Sequence, residues 1–170
     1  MDIREFTNKT LNPVDMFSEK WALVSAGDLN DYSCCTLSWG SLGNLWGHVN
    51  DGGPIITIYV NPARNTHHFL MENDTFTISF FPEKYRKDLS ILGSKSSRDG
   101  DKVALTDLTP YSYKDNVFYK EASLSFLCRK IYWDDFKMEN IESEYAKKMY
   151  TKLPPHTMFI GQILEVKQGD

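Results

Sequence analysis

The sequence lacks the short motifs that assign a chain to the commonest nucleotide-binding and hydrolytic folds. No GxGxxG follows a predicted strand, and the segment GSKSSRDGDK (93–102) does not have the GxxxxGK[ST] spacing of a P-loop. GxSxG is also absent, and no nucleophile and base are evidently paired. These absences argue against a Rossmann fingerprint, a P-loop and a hydrolytic site, and they leave any catalytic residues unknown.

Cysteine and histidine are scarce. The three cysteines, Cys34, Cys35 and Cys128, are an odd number without the spacing of a disulfide framework, which favours a reduced, cytoplasmic protein. The adjacent pairs Cys34-Cys35 and His67-His68 are poorly spaced for a metal, because neighbouring side chains diverge on a strand or a helix. We therefore predict no metal site.

Excess positive charge and long apolar runs are also missing. The formal net charge of −4 argues against a nucleic-acid partner, which requires many Lys and Arg residues. No stretch approaches the ~20 apolar residues of a membrane span, and the N-terminal MDIREFTNKT does not resemble a signal peptide. A chain of 170 residues fits one domain, so we expect residues 1–170 to form a single unit.

What the sequence has is period-two alternation of apolar and polar residues, the pattern of β-strands. It is clearest in TFTISFF (75–81) and ASLSFLC (122–128), while the β-branched run PIITIYV (54–60) is typical of a central strand. Further strands are predicted at 21–27, 34–39 and 158–166. Short helices are predicted from an N-cap at Asn65 or Thr66 to about Glu72, from Pro82 to Gly93 and at 139–149. The pattern predicts a mainly β protein with a few short helices, whose six or more strands favour a closed or nearly closed barrel.

Two segments combine cations and hydroxyls in the way that an anion site requires. In YVNPARNT (59–66) a strand ends and a helix begins, so Arg64 and Thr66 could bind a phosphate beside free backbone amides. A helix cap with a solvated arginine explains the same residues. GSKSSRDGDK is either an anion-binding turn or a polar surface loop, and its candidate ligands are Ser94, Lys95, Ser96, Ser97, Arg98 and Lys102.

A third segment, TLSWGSLGNLW (36–46), is suited to a flat ligand. It places the hydroxyls of Thr36 and Ser38 beside the indoles of Trp39 and Trp46, with glycines that allow close approach of the backbone. The alternative is a buried tryptophan next to a turn.

In their order along the chain, several segments resemble the flavin reductase-like FMN-binding split-barrel proteins, most closely the flavoredoxin branch. The resemblance runs from about Val14 to Val166. The segments that carry it are TLSWGSLGNLW, YVNPARNT followed by FTISFFPE, ILGSKSSRDGDK, CRK (128–130) and HTMFIGQILEV (156–166).

The resemblance implies a six-stranded Greek-key split β-barrel that forms a homodimer, with FMN near the subunit interface. It places Trp46 and His156 on the nicotinamide or substrate side, although His156 could equally be a surface histidine. The residues implied to bind FMN are Thr36, Ser38, Trp39, Arg64, Thr66, Ser94, Lys95 and Ser96, with Arg98 and Lys102 carried over less directly.

The chain departs from the family pattern at four positions. Ser33 and Cys35 stand where Asn and Met are common, Ser97 replaces a usual Gly, and Gln162 replaces a usual Glu. These differences concern contacts with the flavin ring and leave the phosphate-binding set intact.

Three functions remain open from the sequence. In the first, the chain is an NAD(P)H-dependent flavin reductase, in which the flavin supplies the hydride chemistry and the protein supplies position and a dry pocket. In the second, it is an FMN electron carrier of flavoredoxin type that passes electrons between protein partners. The third is a split-barrel protein with another ligand or a regulatory role.

Overall fold

The computed structural model describes residues 1–169, and the fold is mainly β, as predicted. All six predicted strands are present, with ends shifted by a few residues, and the last two are longer than predicted. Over the described residues the strands are β1 (Ala22–Asp28), β2 (Asp31–Leu37), β3 (Gly40–Asn44), β4 (Pro54–Val60), β5 (Thr75–Phe80), β6 (Pro110–Tyr113), β7 (Asn116–Tyr119), β8 (Leu124–Asp135) and β9 (Thr157–Gln168).

The helices are short, and those that matter for the site follow strands. The helices are α1 (Ile3–Thr7), α2 (Pro13–Ser18), α3 (Asn65–Glu72), α4 (Arg86–Ser94) and α5 (Glu144–Met149). The predicted helix that ends at Glu72 is present, but its N-cap is Arg64 rather than Asn65 or Thr66. The one expected from Pro82 begins with a 3₁₀ turn over Glu83–Tyr85. The predicted helix at 139–149 starts late, because the Ser143 side chain caps the N–H of Ala146 and sets its first turn.

The main sheet is antiparallel and curled. Its seven strands run in the order β2-β1-β5-β8-β9-β4-β3, so β2 and β3 lie at opposite edges. Yet only Ser38 and Trp39 separate them in the chain, so the sheet must curl until its two edges meet at this link. The mainly β class is confirmed, but the sheet is not closed by hydrogen bonds and has seven strands rather than six. The six-stranded Greek-key barrel is therefore not confirmed.

Apolar side chains fill both sides of β1 and β2, because alternate residues of a strand face opposite ways. Val24 and Cys35 point into the curled sheet, where they join a core built around Phe76, Phe126 and Phe159. On the other face, a second cluster covers the sheet with the apolar side of α4 and with β7. Its members include Leu23, Cys34, Leu89, Leu92 and Val117.

The hairpin of β6 and β7 is not among the sequence predictions. Its two-residue turn is Lys114 and Asp115, both with positive φ, of 50° and 56°. Two left-handed residues in succession usually call for Asn-Gly or Asp-Gly. Since the turn here is Lys114-Asp115 and not one of these pairs, the sequence pattern does not reveal it.

Over residues 1–169, no helix is long and apolar enough to cross a membrane. The three cysteines are free and buried. In the same part of the chain there is no group of three or more His, Cys, Asp or Glu side chains arranged to hold a metal ion.

Candidate functional site

A polar cavity of about 260 Å³ opens where β2, the turn into α3 and the loop after α4 meet. It is lined by Cys35, residues 63–66, residues 94–97 and Lys102. Two of the three segments singled out in the sequence therefore come together here, although they are separated along the chain by β5 and α4.

Three cations line the polar cavity, and no carboxylate does: Arg64, Lys95 and Lys102. Over residues 1–169, none of these three takes part in an ion pair with an acidic side chain. Arg64 immediately precedes α3, whose amino end adds partial positive charge and backbone N–H donors. The cavity is therefore suited to an anion with several acceptor oxygens, such as a phosphate.

Hydroxyl groups join the walls of the polar cavity. Ser33 Oγ lies 2.9 Å from Thr66 Oγ1 and 2.8 Å from Ser97 Oγ. Asn65 Nδ2 donates to Ser97 Oγ at 2.9 Å. These hydrogen bonds connect β2, the first turn of α3 and the loop after α4 to one another. Ser33 and Ser97, two of the departures from the family pattern, are hydrogen-bonded to each other.

Lys102 is almost fully buried, with 5% of its surface exposed. Its ammonium donates to Leu92 O at 2.8 Å and to Lys95 O at 3.0 Å, two carbonyls at the carboxyl end of α4. Burial lowers the pKa of Lys102, partly offset by the neighbouring Cys34 and Cys35. The side chain therefore holds the end of α4 in place as well as lining the cavity.

Arg98 and Ser96 have structural roles in the same loop. The Arg98 guanidinium donates to Ala63 O at 3.3 Å, which ties the loop to the turn before α3, and Arg98 does not line the cavity. Ser96 Oγ accepts the Arg98 N–H. Ser94 is the last residue of α4 and bonds back to Ile91 O, so it lies on a helix rather than in a loop.

An aromatic cavity of about 180 Å³ adjoins the polar one and shares Cys35 and Arg64 with it. Its lining comprises residues 35–39, residues 59–61, Arg64 and His156. This places the predicted Thr36, Ser38 and Trp39 beside Arg64. The Thr36 hydroxyl is engaged, since it donates to Leu89 O at 2.6 Å, whereas Ser38 is exposed.

Trp39 and His156 form one side of the aromatic cavity, with ring centroids 4.7 Å apart. His156 is half-buried, and burial, with a smaller contribution from the nearby Arg64, lowers the pKa of its imidazole. Its Nδ1 lies 3.1 Å from the hydroxyl of Tyr150. The imidazole is therefore held at the cavity wall in its neutral form near neutral pH.

Trp46 is not brought together with the other candidates. It is 71% exposed, lies outside both cavities and contacts the ring of Tyr132 edge-on at 6.4 Å. Several site residues were not among the sequence candidates, namely Ser33, Tyr59, Asn61, Asn65 and Tyr150. Three of them lie within YVNPARNT, so the segment itself was the available signal, but nothing in the sequence pointed to Tyr150.

A larger cavity, of about 740 Å³, lies elsewhere, between α1, β3 and the start of β4. Arg4 and His48 are its titratable groups, and Arg4 is already bonded to Asn50. It contains none of the residues predicted from the sequence. The charge and hydroxyl chemistry, rather than the volume, identifies the joined polar and aromatic cavities as the candidate site.

Comparison with known proteins identifies the family to which the chain is similar. Residues 19–170 match the family described as the flavin reductase like domain. No curated protein matches the chain by sequence. Solved structures with a similar fold include the following three.

The first is a flavoredoxin from Methanosarcina acetivorans (21% identity, 95% of this chain and 75% of that chain covered, TM-score 0.66). The second is an FMN-binding protein from Thermus thermophilus (19% identity, 94% and 78% covered, TM-score 0.66). The third is an NADH:FAD oxidoreductase from Streptomyces globisporus (14% identity, 88% and 75% covered, TM-score 0.62).

Proposed function

The chain belongs to the flavin reductase like domain family, and from that premise we propose that it is an FMN-binding flavoprotein acting as an NAD(P)H-dependent, flavin reductase-like oxidoreductase. One observation carries the proposal: a cationic, hydroxyl-lined cavity and an aromatic cavity meet at Arg64. FMN has the matching two parts, a terminal phosphate and a flat ring.

The donor set of the polar cavity fits the phosphate of FMN. Arg64 offers paired N–H donors, Lys95 adds a second exposed cation, and Ser94 at the end of α4 and Ser96 in the following loop add hydroxyls. Lys102 contributes positive charge from within the wall, while its own donors hold α4. Since the polar cavity has no acidic side chain, a bound dianion meets no like charge there.

The aromatic cavity would hold the flavin ring between the β2–β3 link and β4. Trp39 and Tyr59 supply flat surfaces, and the half-buried His156 supplies a polar edge. The chemistry that FMN contributes when bound is acceptance of a hydride from a reduced nicotinamide. The residues of this chain position the two rings and exclude water.

The first test is spectroscopic. Titration of the purified chain with FMN should shift the flavin absorbance and quench its fluorescence, with weaker binding of FAD, because an adenosine site is not evident. Anaerobic mixing of the FMN-loaded protein with NADH and with NADPH should bleach the flavin band near ~450 nm within seconds. A chain that does not bind FMN would refute the proposal.

An FMN electron carrier is the second candidate, favoured by the flavoredoxin among the proteins of the same fold. The same experiment separates the two. If neither nicotinamide bleaches the flavin while dithionite does, the chain takes electrons from a protein partner instead.

We also propose that residues 1–170 form a single domain, that two copies of the chain form a homodimer, and that the protein is cytoplasmic. Four exposed aromatic side chains lie on the second half of β8, on the residue after it and on the nearby β3–β4 connection: Trp46, Tyr132, Trp133 and Phe136. An obligate interface buries upwards of ~2,000 Å², and we infer that these exposed aromatic side chains contribute to it. Sedimentation at micromolar concentration should give a dimer, and Trp133→Glu should give a monomer. A monomeric wild-type chain would contradict the proposal.

A further inference from the structure

Tyr150 follows α5 in the long connection between β8 and β9, and the mechanism above does not use it. Its hydroxyl lies 3.1 Å from His156 Nδ1 and has no other partner over residues 1–169. The two rings also pack together, with centroids 5.8 Å apart. His156 lines the aromatic cavity, whereas Tyr150 does not.

The connection that carries Tyr150 is fixed to the site at several points. Asn61 Nδ2 donates to Pro154 O at 2.9 Å, and the N–H of Phe136 donates to His156 O at 3.1 Å. The Phe136 ring stacks on Tyr59, a lining residue of the aromatic cavity, with centroids 5.5 Å apart. Contact between Tyr150 and His156 is therefore part of a held arrangement.

We propose that Tyr150 is a positioning residue, whose hydroxyl donates to His156 Nδ1 and thereby fixes the proton of the neutral imidazole on Nε2. A phenol carries its proton at neutral pH, and an imidazole nitrogen is the more basic of the two possible acceptors. With Nδ1 accepting, the single ring proton must be on the other nitrogen. His156 then presents an N–H donor, rather than an acceptor, to the aromatic cavity.

A donor at this place selects a carbonyl oxygen on the bound ring. Two ligands of the proposed function carry one, the flavin ring and the carboxamide of a reduced nicotinamide. The inference therefore rests on the proposed function for its ligand, but the state of the His156–Tyr150 pair can be measured without any ligand.

The groups around the imidazole are few. Arg64 approaches from the start of α3, Tyr59 from β4 and Tyr150 from the end of α5. Asp135, at the end of β8 opposite Thr157, accepts a hydrogen bond from Thr157. The positive charge of Arg64 favours the neutral imidazole, and so does a phenol that donates its proton to an unprotonated Nδ1.

The first experiment is an NMR spectrum of the imidazole nitrogens over a pH series, on the full chain. Wild type should show His156 protonated on Nε2, with Nδ1 accepting a hydrogen bond. In Tyr150→Phe, the His156 pKa should rise, because the donor that favours the neutral form is lost. Tyr145→Phe is the matched control, since Tyr145 lies in α5 and is 80% exposed. Protonation of His156 on Nδ1 in wild type, or an unchanged titration in Tyr150→Phe, would overturn the proposal.

The second experiment measures FMN affinity and the rate of flavin bleaching by NADH at saturating FMN. Tyr150→Phe should reduce one of them by about two- to tenfold, the range of a single hydrogen bond. A weaker FMN affinity identifies the flavin carbonyl, and slower bleaching identifies the carboxamide. His156→Gln, which keeps an N–H donor, should retain more activity than His156→Leu. If both quantities are unchanged in Tyr150→Phe, the donor role is wrong.

Failure of the proposed function would look different. If the wild-type chain does not bind FMN and no flavin bleaching is seen, FMN is not its ligand, and the proposed donation from His156 to that ligand is refuted too. The NMR series would still decide whether Tyr150 sets the tautomer of His156.

Discussion

The walls of the polar cavity are hydrogen-bonded to one another, whereas one side of the aromatic cavity is formed by two rings in contact, those of Trp39 and His156. Ser33, Thr66, Ser97 and Asn65 form one chain of bonds across three elements, and Lys102 fixes the end of the adjoining helix. Around the aromatic cavity, Trp39 remains 41% exposed and rests against His156. Directional bonds hold a fixed shape for a compact anion, while ring contacts can slide to admit a second flat ligand.

This contrast predicts that the polar cavity supplies most of the affinity for FMN. A charge-assisted hydrogen bond contributes roughly 1.5–3 kcal/mol, so Arg64→Ala should weaken FMN binding by about ten- to a hundredfold. Fluorescence titration measures the change. Arg4→Ala, an arginine at the separate large cavity, is the control and should leave the affinity unchanged. Equal affinities for wild type and Arg64→Ala would exclude Arg64 from the site.

Lys102 should matter for stability more than its neighbour Lys95 does. Lys102→Met removes a charged donor from two helix-end carbonyls, and we expect the free energy of unfolding to fall by about 1–3 kcal/mol in urea titrations. Lys95→Met, at an exposed position of the same cavity, should change stability by less than about 0.5 kcal/mol while weakening FMN binding. Equal stability losses in the two variants would show that the helix-end contacts of Lys102 are unimportant.

Ser97→Ala tests the bonded wall directly. The substitution removes the partner of both Ser33 and Asn65, so the free energy of unfolding should fall by about 1–2 kcal/mol. Ser41→Ala, at an exposed position of β3 outside both cavities, provides the comparison. A wall that tolerates Ser97→Ala as readily as Ser41→Ala would not be held together by these bonds.

Trp39→Leu tests the ring contacts of the aromatic cavity. Aromatic packing beyond area burial is worth about 0.5–1.5 kcal/mol, so the NADH concentration that gives half the maximal bleaching rate should rise about two- to tenfold. The affinity for FMN should change less than in Arg64→Ala. A larger loss of FMN affinity than in Arg64→Ala would reverse the contrast between the two cavities.

The smallest expected effect is on the pH dependence of stability. Burial lowers the pKa values of His67 and His156 in the folded protein, so below the ordinary histidine pKa of about 6.5 the unfolded chain binds more protons. Stability should therefore fall as the pH falls through this window. Thermal melts between about pH 7.5 and 5 should show a shallower decline in the double variant His67→Gln, His156→Gln. An unchanged decline would assign it to other groups.

The fold was predictable where local pattern and tertiary structure agree. The β-branched run became β4, and the Pro-Ala-Arg-Asn-Thr sequence became the turn into α3. The β6–β7 hairpin was not predictable, because Lys114 and Asp115 adopt left-handed conformations without the usual residues. The short strand β3 contains two glycines, at Gly40 and Gly43, which obscure its alternation.

For the site, composition identified the segments but not the partners of each side chain. Lys102 was a candidate because of its charge, and only the tertiary structure shows that its ammonium faces helix carbonyls. Likewise, only the tertiary structure shows that the Thr36 hydroxyl donates a hydrogen bond to Leu89 O. Tyr150 lies in a segment without periodicity, so its contact with His156 depends entirely on how the β8–β9 connection folds back.

The two-residue link at Ser38 and Trp39 joins β2 and β3, the two edge strands of the sheet, and this has a consequence for ligand binding. The aromatic cavity lies along this unbonded seam, with walls from β2 on one side and from β4 on the other, and the polar cavity adjoins it. A molecule bound there contacts both sides of the seam and so links strands that are not hydrogen-bonded to each other. A bound cofactor would then link the two edges of the sheet, so occupancy would protect the edge strands from opening and raise the stability of the whole fold by mass action.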